Sequence, residues 1–231
     1  MSTLQKLSLA LVGTAVFFMS ANPASAVSLI KGGSTPVAGE GQYTNIQGAT
    51  TINFNLGTAT DPNGFATYSA TNGIVKGSVD SQYATPFGDS SYYLTVAPSG
   101  LQNIRGSGDE TITFAKSIDY FGLYWGSIDT YNYVDVYSGG KLLKTFSGAD
   151  VPGAPANGVQ SGDANNVYVN LLADKGETFD KVVLRSTGVA FETDNHSYRL
   201  ASVPEPTATL GLLVFGVMSA GSFVKRKSKL V

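Results

Sequence analysis

The stretch Ile118-Asp119-Tyr120-Phe121-Gly122-Leu123-Tyr124-Trp125-Gly126-Ser127-Ile128-Asp129-Thr130-Tyr131-Asn132-Tyr133-Val134-Asp135-Val136-Tyr137 is the densest aromatic segment of the chain. It holds the single Trp and five of the twelve Tyr. Aromatic and β-branched residues fit a pleated, half-buried surface, so the segment reads as strand. The first strand ends at Trp125-Gly126, and the polar run over 127–132 supplies a turn. Asp129 and Asn132 are suited to bonding turn main chain, and Gly126 to a positive φ. Val134 and Val136 then open a second strand with an alternating pattern. Successive side chains of a strand point to opposite faces, so Tyr120, Leu123 and Trp125 cannot all share one face. Some of these aromatics are therefore expected to face outward, with the lone Trp125 in the core.

Working outward, the same period of two recurs. Ile52, Phe54 and Leu56 alternate with polar residues, as do Tyr92, Leu94 and Val96. Ile112 with Phe114, Val167 with Val169 and Leu171, and Val182 with Leu184 repeat it. Between these runs lie turn sequences: Asp61-Pro62-Asn63-Gly64, Asn72-Gly73, Gly88-Asp89 and Gly106-Ser107-Gly108-Asp109. Gly139-Gly140 reads as a two-residue hairpin turn. Thr187-Gly188 is expected to close another hairpin, between 182–186 and 189–193. No segment of this region shows a helical period, and no internal repeat is evident. The expected fold class is all-β: a single antiparallel β-sandwich or jelly-roll domain over residues 27–202. Residues 27–48 read as a partly ordered arm. Residues 151–166, with Pro152 and Pro155, read as the longest loop.

The ends of the chain are of another kind. Lys6 precedes an apolar run over 7–19, and Ala24-Ser25-Ala26 follows the helix-breaking Pro23. This is the pattern of a signal peptide over 1–26, with Ala24 and Ala26 at the cleavage site after Ala26. At the other end stand Pro204-Glu205-Pro206, then an uncharged apolar run over 207–224. Eighteen helical residues reach about 27 Å, enough for a hydrocarbon core. Lys225, Arg226, Lys227 and Lys229 follow directly, and such a basic cluster stays on the cytoplasmic side. The sequence therefore predicts a domain exported across the inner membrane and held transiently by a single-pass C-terminal transmembrane helix. Gly216 and Ala220 are spaced to support helix pairing, though an ordinary Gly/Ala-rich membrane helix has the same look.

Composition narrows the function classes. The chain has 231 residues, no Cys and one His, which excludes disulfide frameworks, thiolate zinc sites, cysteine nucleophiles and multi-histidine metal sites. The formal net charge is −2. Residues 27–202 carry ten Lys/Arg against sixteen Asp/Glu, hence −6, while both ends are basic. A surface with no basic surplus argues against nucleic acid.

The order Pro-Glu-Pro, apolar helix, basic cluster over Val203 to Lys229 resembles the PEP-CTERM sorting signal of bacteria with exopolysaccharide-rich surfaces. The resemblance implies that the tail, 203–231, is recognised and processed by an exosortase, a membrane-embedded transpeptidase-like enzyme. Pro204, Glu205 and Pro206 would then be the recognition motif. The physical alternative is a plain C-terminal anchor. The element Tyr124 to Asn132 and the later Phe191-Glu192-Thr193-Asp194-Asn195 are also similar to elements of a family of cyanobacterial exosortase-dependent surface proteins. That similarity implies a surface protein with a β-sandwich body. It implies no enzyme activity and supplies no ligand.

The expected role is accordingly structural or adhesive, in an extracellular polysaccharide matrix. A carbohydrate-binding module is the alternative: Tyr and Trp rings stack on sugar rings while Asp and Asn bind hydroxyls. The candidate glycan contacts are Tyr124, Trp125, Asp129, Tyr131 and Asn132. The competing reading of the same aromatics is a sandwich core. A secreted polysaccharide hydrolase is the third reading, but no carboxylate pair can be nominated from spacing alone. The Asp and Asn of turns (Asp61 and Asn63; Asp163, Asn165 and Asn166; Asp194 and Asn195) are oxygen donors suited to a structural calcium ion. They are equally common as plain turn residues. No other cofactor is expected. His196 reads as a surface turn residue, since no nucleophile elbow accompanies it. No phosphate loop is present.

Overall fold

The computed structural model describes residues 27–202. The sorting motif, the basic cluster and the signal cleavage site all lie outside the described residues. Within them the chain is all-β, with every strand pair antiparallel and one short 3₁₀ turn at Gly148–Asp150. The first strands are β1 (Val27–Lys31), β2 (Ser34–Val37), β3 (Gly41–Thr44), β4 (Thr50–Ile52), β5 (Ala66–Tyr68), β6 (Ile74–Lys76) and β7 (Tyr92–Val96). Then come β8 (Glu110–Gly126), β9 (Asn132–Ser138), β10 (Lys141–Ser147), β11 (Val167–Ala173), β12 (Phe179–Ser186) and β13 (Phe191–Leu200).

The aromatic segment is the spine of this arrangement. β8 is 17 residues long and changes neighbours midway. Its first half pairs with β5 and β12, through Phe114↔Ala66 and Ile112↔Val182. Its second half pairs with β11 and β13, through Trp125↔Val167 and Trp125↔Thr193. β13 in turn carries β7 and β4, and β11 carries β1. β2 and β3 form a separate two-stranded hairpin.

Near Asp119 the register against β13 slips: Arg199 faces Tyr120, but Leu200 faces Ile118. An extra residue on one strand is a bulge, and it reverses which side chains point inward. The core accordingly takes Ile112, Phe114 and Ile118 before the bulge, and Phe121, Leu123 and Trp125 after it. Asp119 itself is tied by its carboxylate to the Arg199 guanidinium at 2.8 Å.

Several expectations change here. The outward face of the second half of β8 does not meet solvent. Tyr120 and Tyr124 are as buried as Trp125, because residues 27–48 are no loose arm but β1 and the β2–β3 hairpin. Tyr120 donates its hydroxyl to Thr44 Oγ1 (2.7 Å), and the Tyr124 ring lies against Gly41 so closely that a Cβ there would sit 2.6 Å from it. Thr187-Gly188 closes no hairpin: β12 pairs with β8 and β9, while β13 pairs with β4, β7 and the other half of β8. Leu56 is exposed, since strand pairing stops at Ile52 and Phe54 takes φ 52°. The left-handed residue of the 127–132 turn is Ser127, at φ 38°. Gly126 serves close approach instead, as a Cβ there would be 3.0 Å from Pro86. Gly139-Gly140 does join β9 to β10, both at positive φ, and 151–166 forms a loop without strands.

Candidate functional site

The two elements singled out in the sequence become neighbours. β13 runs antiparallel to the end of β8, so Glu192, Thr193 and Asp194 face Gly126, Trp125 and Tyr124. The Trp125 and Phe191 rings pack with centroids 4.7 Å apart. Just beyond this contact the chain leaves both strands, and a polar cavity of about 330 Å³ opens between loops. Residues 78–84 form one wall, the turn carrying Ser127, Asp129 and Tyr131 another, and Gly158 with Gln160 a third. Two glycines let the chain close on these side chains. A Cβ on Gly158 would come within 2.6 Å of Asp129 Oδ2, and one on Gly188 within 2.7 Å of the Tyr131 ring.

Glu192 lies at the inner end of this cavity and is 2% exposed. Its Oε2 accepts the Ser127 hydroxyl at 2.6 Å, and its Oε1 accepts the Ala84 N–H at 3.0 Å. Burial outweighs both bonds and pushes the carboxyl up to about 7. Burial also raises Asp129, an effect that Tyr131 tempers. The Tyr131 hydroxyl donates to Val189 O at 3.1 Å, and burial raises its pKa too. The cavity thus offers a carboxyl that burial shifts to about 7, two further acids (Asp80 and Asp129), amides and two aromatic rings (Tyr83 and Tyr131). Such a lining suits hydroxylated, uncharged ligands, which exchange hydrogen bonds with acids in either state.

Of the five candidate glycan contacts, Asp129 and Tyr131 reach this cavity and three do not. Tyr124 is buried with its hydroxyl on Phe87 O, and Trp125 is fully buried in the core. Asn132 holds the turn: its Oδ1 accepts the Asp129 N–H (3.1 Å), and its Nδ2 donates to Ser186 Oγ (3.0 Å) and Ala190 O (3.1 Å). An outward platform built on Tyr124 and Trp125 is therefore absent, because both faces of that strand are covered. Glu192 and Ser127 were not foreseen as site residues. The signal for Glu192 was its place in the Phe191–Asn195 element; the 78–84 wall carried none.

His196 is not a surface turn residue. It lies inside β13, fully buried, with Nδ1 2.8 Å from the Tyr68 hydroxyl and Nε2 2.8 Å from Thr193 Oγ1. Edges of Phe54 and Phe121 meet the ring, and burial lowers its pKa to about 3. The imidazole is thus a neutral bridge between two hydroxyls.

The turn acids divide into two kinds. Asp61 is fully engaged, accepting the N–H of Asn63, Phe65 and Ala66 and the Tyr198 hydroxyl. Asn165 and Asn166 bond loop main chain: Asn165 Oδ1 accepts the Ala156 N–H, and Asn166 Oδ1 accepts those of Phe87 and Ser127. Asp163 is exposed. Asp194 and Asn195 are fully buried, and the Asn195 carboxamide oxygen has no partner among the described residues.

Compared with known proteins, the chain matches no family model, no curated protein and no solved structure. What defines it is its own geometry: an all-β domain with a polar, acid-floored cavity at the end of its longest strand.

Proposed function

We propose that this is an exported surface protein, sorted and processed by an exosortase, with a structural or adhesive role in an extracellular polysaccharide matrix. The observation that carries this reading is the sequence of motifs in the tail: Pro204-Glu205-Pro206, an uncharged apolar run, then Lys225, Arg226, Lys227 and Lys229. It follows directly on a folded body whose last strand ends at Leu200. In the proposed mechanism the helix retains the exported domain at the inner membrane until the sorting enzyme removes it. The finer architecture proposed for the body is a sandwich, supported by the switch of partners along β8 that lets one sheet fold over itself. Mass spectrometry of the mature C-terminus in cells containing the enzyme tests the sorting. Residues 207–231 are expected to be gone from the wild type and retained in Glu205→Ala. A wild-type chain keeping its helix in such cells sinks the proposal.

A second reading, a carbohydrate-binding module, is favoured by one observation: the cavity that gathers Tyr131, Asp129 and Glu192. On a glycan array the full chain should bind a neutral polysaccharide fragment, and Tyr131→Ala should lose at least tenfold in affinity. Equal binding by the variant removes this reading and leaves the sorting proposal untouched.

A further inference from the structure

On the other side of β13 from His196's aromatic surroundings, unpaired oxygens gather around Glu40. Five buried side-chain polar atoms lack a hydrogen-bond partner among the described residues, and four of them are oxygens. Three of those four belong to neighbours of Glu40. Asn55 donates its Nδ2 to Glu40 Oε2 (3.0 Å), yet its Oδ1 has no partner. Asn195 donates its Nδ2 to Glu40 O (2.6 Å), and its Oδ1 has none. Asp89 bridges the main chain of Gly39 and Glu40, and its Oδ2 has none. Buried acceptors are almost always paired, so a cluster of orphans calls for a donor or a cation beside them.

The carboxylates make the same demand. Ser91 Oγ lies between Asp89 and Asp194, 2.7 Å from Asp89 Oδ1 and 3.4 Å from Asp194 Oδ2. Asp194 is fully buried, and its other oxygen accepts the Asn195 N–H at 2.7 Å. Two carboxylates gathered about one hydroxyl repel unless a proton or a cation lies near them. Among the described residues the only ion pairs are Arg185–Asp135 and Arg199–Asp119, so Glu40, Asp89 and Asp194 have no basic partner. Lys76 lines the adjoining cleft, but its ammonium rests 5.6 Å from the Tyr92 ring centroid. That cleft, about 310 Å³, is lined by Glu40, Asn55 and Ser91.

We propose that Asp89 and Asp194, with the carboxamide oxygen of Asn195, form a binding site for a calcium ion. No three acidic or imidazole side chains among the described residues converge on one point. The proposed shell is two carboxylates that neutral oxygens, amide, hydroxyl, main chain and water, would complete. That mixture suits calcium, which takes six to eight oxygens in flexible geometry, rather than transition metals that prefer nitrogen or sulfur. The ion would link β13 to the 86–91 loop and, through Glu40, to the hairpin that covers β8.

The test is calcium titration of the full chain, purified in mild detergent and stripped with chelator, followed by calorimetry and thermal melting. One ion per chain and a melting temperature raised by calcium and lowered by chelator are expected. Terbium in place of calcium should show luminescence sensitised by the neighbouring tyrosines. Asp89→Asn, at a half-buried position, should weaken binding at least tenfold while the apo melting temperature holds or rises. Asp163→Asn, on the exposed loop, should leave binding unchanged. No uptake at about 10 mM calcium, above the weakest affinities of calcium modules, overturns the proposal. So does binding that survives Asp89→Asn, or a pair that is stabilised only by lowering the pH and never by calcium.

Discussion

The two halves of β8 share one strand and one sheet, yet they obey different rules. From Glu110 to Ile118 inward and outward residues broadly alternate: Ile112 and Phe114 are buried while Thr113 and Ala115 are exposed. From Tyr120 to Gly126 every residue is buried. The first half has one wet face, and the second has a layer on each side. Toward the core stand Phe121, Leu123 and Trp125; on the other face Tyr120 and Tyr124 lie beneath the β2–β3 hairpin. The difference teaches that burial on a second face is conferred by whatever packs there, not by the strand's own pattern.

The sharpest way to break this comparison is Trp125→Ala. Removing a fully buried Trp in contact with Phe191 should cost about 3–5 kcal/mol of unfolding free energy in urea titration. A loss under about 1 kcal/mol would mean that the second half of β8 is far looser than described.

Next in size is a pH effect from β13, the partner of that half. Burial raises Glu192 from 4.5 to about 7, so its stabilising contribution is full below pH 4.5 and is lost as pH rises through about 7. Burial lowers His196 from 6.5 to about 3, so its contribution is full above pH 6.5 and is lost as pH falls through about 3. Between about pH 4.5 and 6.5 the two slopes oppose each other. Asp194, raised by burial and by Asp89, adds to the Glu192 side while no cation occupies it. Glu192→Gln should therefore make stability rise more steeply with pH across that window. His196→Gln should make it fall. Each swing is on the order of 3–5 kcal/mol, read from urea unfolding at a series of pH values. Parallel pH profiles for wild type and both variants would contradict the buried, opposed placement of these groups.

The smallest effect belongs to the first half of β8. Thr113→Ala, on the exposed face, should change stability by no more than about 0.5 kcal/mol. A loss comparable to that of Trp125→Ala would show that this face is covered too.

Much of the local structure was legible in the residues. The strand over 132–138, the Gly139-Gly140 turn and the strand after it follow from alternation and from two glycines at positive φ. The Asp61-Pro62-Asn63-Gly64 turn follows from a carboxylate able to accept three nearby main-chain donors, Asn63, Phe65 and Ala66. Two of the residues that line the cavity, Asp129 and Tyr131, stand among the candidate glycan contacts read from the sequence. What could not be read was Glu192 as its floor, because a Glu in a strand gives no sign of which loop will cover it. His196 was misread for the same reason: a polar run, Asp194-Asn195-His196-Ser197, looks like a turn until two aromatic rings and two hydroxyls close on it.

The sequence by itself determined strand-forming segments, turn chemistry, an acidic middle and basic ends, because these depend on neighbours along the chain. Only the tertiary structure decided which faces of β8 are dry, which loops enclose Glu192, and which oxygens are left without partners around Glu40. Those depend on the bulge near Asp119 and on pairings such as Trp125↔Thr193 and Val27↔Ala173, between residues far apart in sequence. A period of two cannot encode them, since one extra residue in a strand exchanges its faces.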